Sequence, residues 1–207
     1  MNQVDELLYQ ALETELGGVQ VYETAVRCAV RDELRDEWSE YLEQTREEVR
    51  VVEGLLGSRG LDTETLTPGR KVVRHLGESL VRAMEMALEA GDPAAAQIVA
   101  AECVVLAETK DHLNWELVGQ LMRSAEGEDR DRLEAAHSEI EDQEDEHLYH
   151  ATGWCRELWI ESLGLPAVLP PPEERKDVRS AIAAARAKQA RVELLDEPES
   201  YRAEAAS

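Results

Sequence analysis

The sequence predicts an all-α fold: a four-helix bundle running up-down-down-up, with a long helical crossover between the second and third bundle helices. Three observations carry that prediction. Ala, Leu, Glu, Arg and Val dominate the 207 residues and Phe is absent, which is an alphabet of good helix formers. The seven prolines divide the chain, and the first 67 residues contain none. Apolar residues recur at helical spacing in four long segments.

Each element has its own signals. The first bundle helix covers about 3–30, with Val4, Leu8, Leu12, Val19, Tyr22 and Val26 on one stripe. The second covers about 32–57 through Leu34, Trp38, Tyr41, Val49, Val52 and Leu56. Pro68 opens a crossover helix over about 69–90, since the first helical turn tolerates proline. Its roughly 22 residues reach about 33 Å, enough to run back along a bundle. Gly91-Asp92-Pro93 then supplies a stop, an N-cap and a start in three residues. The third bundle helix follows over about 93–124, with Ile98, Val99, Leu106, Leu113 and Leu117 as its expected stripe. Gly127 breaks the chain, and the fourth covers about 128–163 on Leu133, Ala136, Ile140, Ala151, Trp154 and Leu158. Gly164 and Pro166 end it. Residues 1–165 therefore form the bundle. Residues 166–207 form a Pro-rich linker and an Ala/Arg-rich tail, with a helix expected over about 174–195.

Charge excludes several classes of function. Lys and Arg number 22 against 45 Asp and Glu, a formal net charge of -23. Such a chain is repelled by phosphate backbones and by anionic membrane surfaces, so neither nucleic acid nor membrane is an expected partner. No apolar run approaches the length of a membrane span. The acidic N-terminus does not read as a signal peptide. Cys28, Cys103 and Cys155, odd in number and widely spaced, fit reduced thiols and a cytoplasmic location.

The informative residues are the polar ones inside the apolar stripes. Glu15 lies at the centre of the first stripe, and Thr45 and Glu48 fall within the second, while Glu43 and Glu47 point away. On the third helix Glu102, Thr109 and Glu116 project with the stripe, and Glu108 projects outward. Glu144 and His147 lie inside the fourth. Folding the first pair about residue 31 sets Glu15 level with Glu48, and Tyr22 level with Tyr41. Folding the second pair about residue 126 brings Glu102 within a turn of His147, and leaves room for a separate polar pair, Glu116 with His137. The spacing Glu-x-x-His is weak by itself. With acids at 45 of 207 positions, about one of the five histidines should follow an acid by three residues, and two do. Glu134 points away from its stripe, so Glu134/His137 reads as chance. Glu144/His147 gains its weight from facing the core. His112 reads as a boundary histidine, and Tyr22 and Tyr41 as core residues with satisfied hydroxyls. A buried carboxylate is costly alone, and several converging repel one another unless a cation is shared.

One carboxylate on each of the first three bundle helices, with Glu-x-x-His on the fourth, resembles the ferritin-like superfamily of di-iron carboxylate bundles, which includes rubrerythrin, ferritin and related oxidases. The resemblance covers about residues 3–163. It implies that Glu15, Glu48, Glu102, Glu144 and His147 are metal ligands. The chain departs from the family on the second helix, where Glu48-Val49-Arg50-Val51 offers valine in place of a second Glu-x-x-His histidine. If Glu48 instead takes the histidine's place, Thr45 replaces the glutamate. A lopsided di-metal site, a mononuclear site and a different metal all stay open. Carboxylates with one imidazole favour Fe, with Mn as the other candidate. The implied activity is an oxidoreductase reacting with O2 or peroxide. The alternatives are an iron-handling ferritin-type subunit and a non-catalytic bundle of the same fold. Rubrerythrin's Cys-x-x-Cys iron module is absent, and a homodimer is the expected assembly.

Overall fold

The protein is described by a computed structural model over residues 2–165, so the tail expected from 166 onward lies outside the described residues. Five α-helices make up the described chain: α1 (Gln3–Cys28), α2 (Asp32–Ser58), α3 (Pro68–Glu89), α4 (Pro93–Ser124) and α5 (Gly127–Ser162). The expected boundaries hold to within two residues. The local chemistry explains the ends. Asn2 Oδ1 accepts from Asp5 N, Thr67 from Arg70 N, and Asp92 from Ala94 N and Ala95 N, so three helices start on a side-chain cap. Gly91, at φ 79°, makes the left-handed turn that separates α3 from α4. The tight link between α1 and α2 is held from outside: Gln97 Oε1, on α4, accepts from both Val30 N at 2.7 Å and Arg31 N at 2.9 Å.

The long helices form a closed ring, α1 against α2, α2 against α5, α5 against α4, and α4 against α1. Side-chain bonds give their directions. Tyr22 to Glu108 and Asn114 to Thr14 make α1 and α4 antiparallel. Tyr41 to His150 and Trp154 to Glu37 do the same for α2 and α5. The crossover α3 packs outside the ring against α1 and α4. It runs parallel to α1, as the Glu6–Thr67 and Glu13–Arg70 contacts require. Among the described residues no helix is long and apolar enough to cross a membrane.

The core has two apolar clusters. One gathers Tyr22, Leu34, Trp38, Tyr41, Met84 and Leu158 near the α1–α2 turn. The other gathers Leu8, Leu12, Leu56, Trp115, Leu133 and Ile140 toward the opposite end. Each fully buried large side chain contributes roughly 1.5–3 kcal/mol. Between the clusters lies a polar belt, and that belt is the candidate site.

Candidate metal centre

Four helices supply the belt. Glu15 comes from α1, Glu48 from α2, Glu108 and Asp111 from α4, and Glu144 and His147 from α5; all are buried. In each helix the belt residue continues the core-facing row, so the packing that buries the apolar neighbours buries the acid too. Glu15 follows Leu8 and Leu12 at helical spacing, Glu48 precedes Val52, and Glu144 and His147 lie between Ile140 and Ala151.

The ligand-type atoms fall into two groups. One oxygen each from Glu48 and Glu144 and a ring nitrogen of His147 lie within 4.8 Å of one another, as do oxygens of Glu15, Glu48 and Asp111. Glu48 belongs to both, so it stands between two adjacent positions. His147 Nδ1 faces Glu144 Oε1 at 3.6 Å and Glu108 Oε2 at 3.7 Å.

Few donors reach these groups. Trp115 Nε1 donates to Glu15 Oε1 at 2.9 Å, and the Tyr22 hydroxyl donates to Glu108 Oε1 at 2.8 Å. Buried without a hydrogen-bond partner are Glu15 Oε2, both oxygens of Glu48 and of Glu144, Glu108 Oε2, Asp111 Oδ1 and His147 Nδ1. Native structures leave only a few such atoms per hundred residues, and those are usually scattered. Here eight converge, and every one is an acceptor or a lone pair when the acids are ionised.

Electrostatics follow from that arrangement. Burial, reinforced by Asp111 and Glu48, holds the Glu15 carboxyl well above its usual range. Burial and neighbouring acids do the same to Glu108 and Glu144. Glu48 is pushed up to about 8 by burial and then by Asp111, and burial raises Asp111 to about 6. Without a cation the belt therefore holds protons, which its carboxyls share with one another, Glu48 with Glu15 and Glu144, and Glu15 with Asp111. The oxygens are left without partners only once those protons leave. Burial, with a smaller push from His150, lowers His147 to about 3, so its ring is neutral. Its Nε2 meets Gln44 Oε1 at 2.6 Å. That oxygen only accepts, so Nε2 carries the proton and Nδ1 turns its lone pair toward Glu144 and Glu108.

Four of the five residues expected from the sequence, Glu15, Glu48, Glu144 and His147, meet in the belt. Glu102 does not. It is exposed and accepts from Trp159 Nε1 at 3.0 Å, across the outer α4–α5 groove. Glu108 was expected outside and is inside, while Thr109 and Glu116 were expected inside and are exposed. The error is one of phase on α4. Leu106, Leu113 and Leu117 are exposed, at 60%, 47% and 41%, and the core-facing row is Val104, Glu108, Asp111, Trp115 and Val118. Its apolar members are mostly small, and its two acids erase the polar–apolar contrast that sets the phase. The signal that identifies Glu108 is depth: folding α4 and α5 about residue 126 puts it level with Glu144. Asp111 follows it at the next turn.

The other polar positions are structural. His137, buried beside Gly119, faces Glu141 at 3.3 Å, and Glu134 is exposed. His112 lies at the boundary and faces Asp145 at 3.1 Å. Tyr22 and Tyr41 are core residues with bonded hydroxyls, as expected. Cys28 and Cys103 are buried free thiols, and Cys155 is a half-buried one.

No protein-family model matches the chain, and neither the curated proteins nor the solved structures give a match.

Proposed function

We propose that this chain is a metalloprotein of the ferritin-like type, binding two divalent cations in the belt between its two apolar clusters. The observation that carries this reading is the convergence of eight buried, unpartnered ligand atoms from four helices. Their pattern supports it. Glu48 and Glu144 with His147 would hold one ion, and Glu15 and Asp111 with Glu48 the other. Glu108, facing His147 Nδ1, takes the place that the family resemblance had assigned to Glu102. The donor set is oxygen-rich with one imidazole, which suits Fe and Mn.

A pair of such ions supplies one-electron redox steps with O2 or peroxide, and an oxidoreductase is the activity this centre supports best. The protein's own contribution is positioning. Gln44 keeps the proton on His147 Nε2 and the lone pair on Nδ1. Tyr22 and Trp115 orient Glu108 and Glu15. The two apolar clusters exclude water from both ends of the belt. The acids release their protons as cations enter, so loading is coupled to proton release.

The second reading, a non-catalytic bundle, draws on Val51, the valine in place of a second histidine. Metal content after anaerobic Fe(II) loading separates the two. About two Fe per chain are expected in the wild type, one each for the two ligand groups, with retention lost in Glu48→Gln. A wild type that keeps no metal, and whose melting point ignores added Fe(II), rules out the metal reading, because a ligand bound only by the folded chain must stabilise it.

A further inference from the structure

We infer that the cleft between α2 and α5 is the route by which cations reach the belt, and that Gln44 is its gate. This rests on the reading of the belt as a metal centre. The cleft is a depression of about 300 Å³ whose walls carry Asp36, Glu37 and Glu40 from α2 and Glu146 and His150 from α5. Acids on the surface of so acidic a chain are unremarkable alone. Here the floor of the cleft touches the centre itself. Gln44 and Tyr41 both line it. Gln44 Oε1 bonds His147 Nε2 at 2.6 Å, and the Tyr41 ring packs on the His147 ring with centroids 4.1 Å apart. His147 is 1% exposed, and its far nitrogen, Nδ1, is the unpartnered atom facing Glu108 and Glu144. A single side-chain layer therefore separates the cleft from an orphaned ligand atom.

Elsewhere the belt meets bulkier groups: Trp115 and Tyr22, both fully buried, bond Glu15 and Glu108 between α1 and α4, and the two apolar clusters lie at the ends. On the cleft side the fixed elements are tied back: Trp154 Nε1 holds Glu37 at 3.0 Å, and the Tyr41 hydroxyl is bonded to His150 Nδ1 at 2.6 Å. Gln44 is the exception, a half-buried unbranched side chain whose movement breaks one hydrogen bond to His147. Turning it outward opens a polar path, and its amide oxygen can replace a water of a passing cation. The acids above concentrate cations at that point, an effect that raises association rates and fades with salt.

The test is stopped-flow uptake of Co(II) alone by the full chain, followed by its absorption, at about 0.01 M and about 0.5 M salt. Glu40→Gln/Glu146→Gln should slow uptake roughly tenfold at low salt, with the difference collapsing at high salt and the final stoichiometry unchanged. The control Glu85→Gln/Glu89→Gln makes the same charge change on α3 and should leave the rate within about twofold. Gln44→Ala should speed both uptake and release, whereas a Gln44 that only orients His147 would speed release alone. Equal slowing by the two double variants, or uptake unchanged in Gln44→Ala, overturns the route while leaving the centre intact. A wild type that takes up no Co(II) overturns the centre and the route with it.

Discussion

Glu13 and Glu15 stand two residues apart on α1, both buried, and the chain treats them in opposite ways. Glu13 faces α3. Arg70 Nε and Arg74 Nε each donate to it at 2.6 Å. Burial pushes its carboxyl up, but the hydrogen bonds from Arg74 and Arg70 outweigh that and hold it below the usual value. Glu15 faces the bundle axis, where burial and neighbouring acids raise it and one oxygen has no partner. The same fold thus supplies two guanidinium groups to one buried acid and none to the five acids of the belt. A buried carboxylate with arginine partners fastens the crossover to α1. A group of them without arginines has the charge balance that the proposed cation site would need. Removing protons, removing partners and removing acids should therefore act with opposite signs in the two regions.

The largest effect should come from pH. The belt carboxyls have folded values raised above the unfolded ones, so their stabilisation is complete below the unfolded value, 3.8 for Asp111 and 4.5 for Glu48, and is lost as pH rises through about 6 for Asp111 and about 8 for Glu48. Glu13, held low, contributes above its unfolded value and loses its contribution only on acidification. His147, depressed to about 3, also disfavours the folded state only on the acid side of 6.5. Above about pH 6.5 the belt dominates the fall: Glu48 alone should cost metal-free protein roughly 2 kcal/mol between about pH 6.5 and 8, at roughly 1.4 kcal/mol per pH unit, and Glu15, Glu108 and Glu144, also raised, add to that loss. Chemical denaturation across that range measures it. Saturating Co(II), which replaces the protons, should flatten the fall. A metal-free curve already flat would mean that the belt acids are not protonated in the fold.

Next in size is Glu13→Ala. It leaves Arg70, 4% exposed, with backbone carbonyls of Thr63 and Thr65 as its remaining acceptors among those bonds. Stranding one partner of a buried pair costs about 3–5 kcal/mol. Glu48→Gln should do the reverse in metal-free protein at about pH 8, stabilising it by roughly 1–3 kcal/mol because a repelled buried charge is removed. The pair of denaturation midpoints is the sharpest form of the comparison. If both substitutions destabilise alike, the belt is a satisfied structural network and its resemblance to a metal centre is accidental.

Much of this was legible in the sequence, for identifiable reasons. On α1, α2 and α5 the core-facing rows keep large apolar residues on both sides of the acid, so Glu15, Glu48, Glu144 and His147 stand out as polar interruptions of a visible stripe. The helix ends were legible because Thr67-Pro68 and Gly91-Asp92-Pro93 act through local backbone chemistry. On α4 the same reasoning failed. Its inner row runs through Ala100, Val104, Glu108, Asp111, Trp115 and Val118, while Leu106, Leu113 and Leu117 face out. Amphipathicity alone then selects the wrong face, and only the pairing depth against α5 corrects it. The role of Gln44 had no sequence signal, because it depends on how α2 meets α5. Nor did the arginine pair at Glu13, which exists only because the crossover returns beside α1.

The smallest expected effect tests whether Glu108 belongs to the charged set. The Tyr22 hydroxyl is held well above its ordinary value by burial and then by Glu108, so it stays protonated and always donates. Tyr22→Phe keeps the ring packing against Tyr41 and His147 and removes only that donor. Against a protonated Glu108 the loss should cost about 1 kcal/mol, the usual worth of a neutral hydrogen bond. Against an ionised Glu108 it should rise to roughly 1.5–3 kcal/mol. The cost should therefore be near the lower figure in metal-free protein at about pH 6, and near the higher one when Co(II) is bound, since the cation displaces the proton from the acids around it. Denaturation of both variants with and without Co(II) reads the difference directly. An equal cost in the two states would mean that Glu108 keeps its proton when metal is bound, and that the fourth carboxylate of the centre must be sought in Asp111 alone.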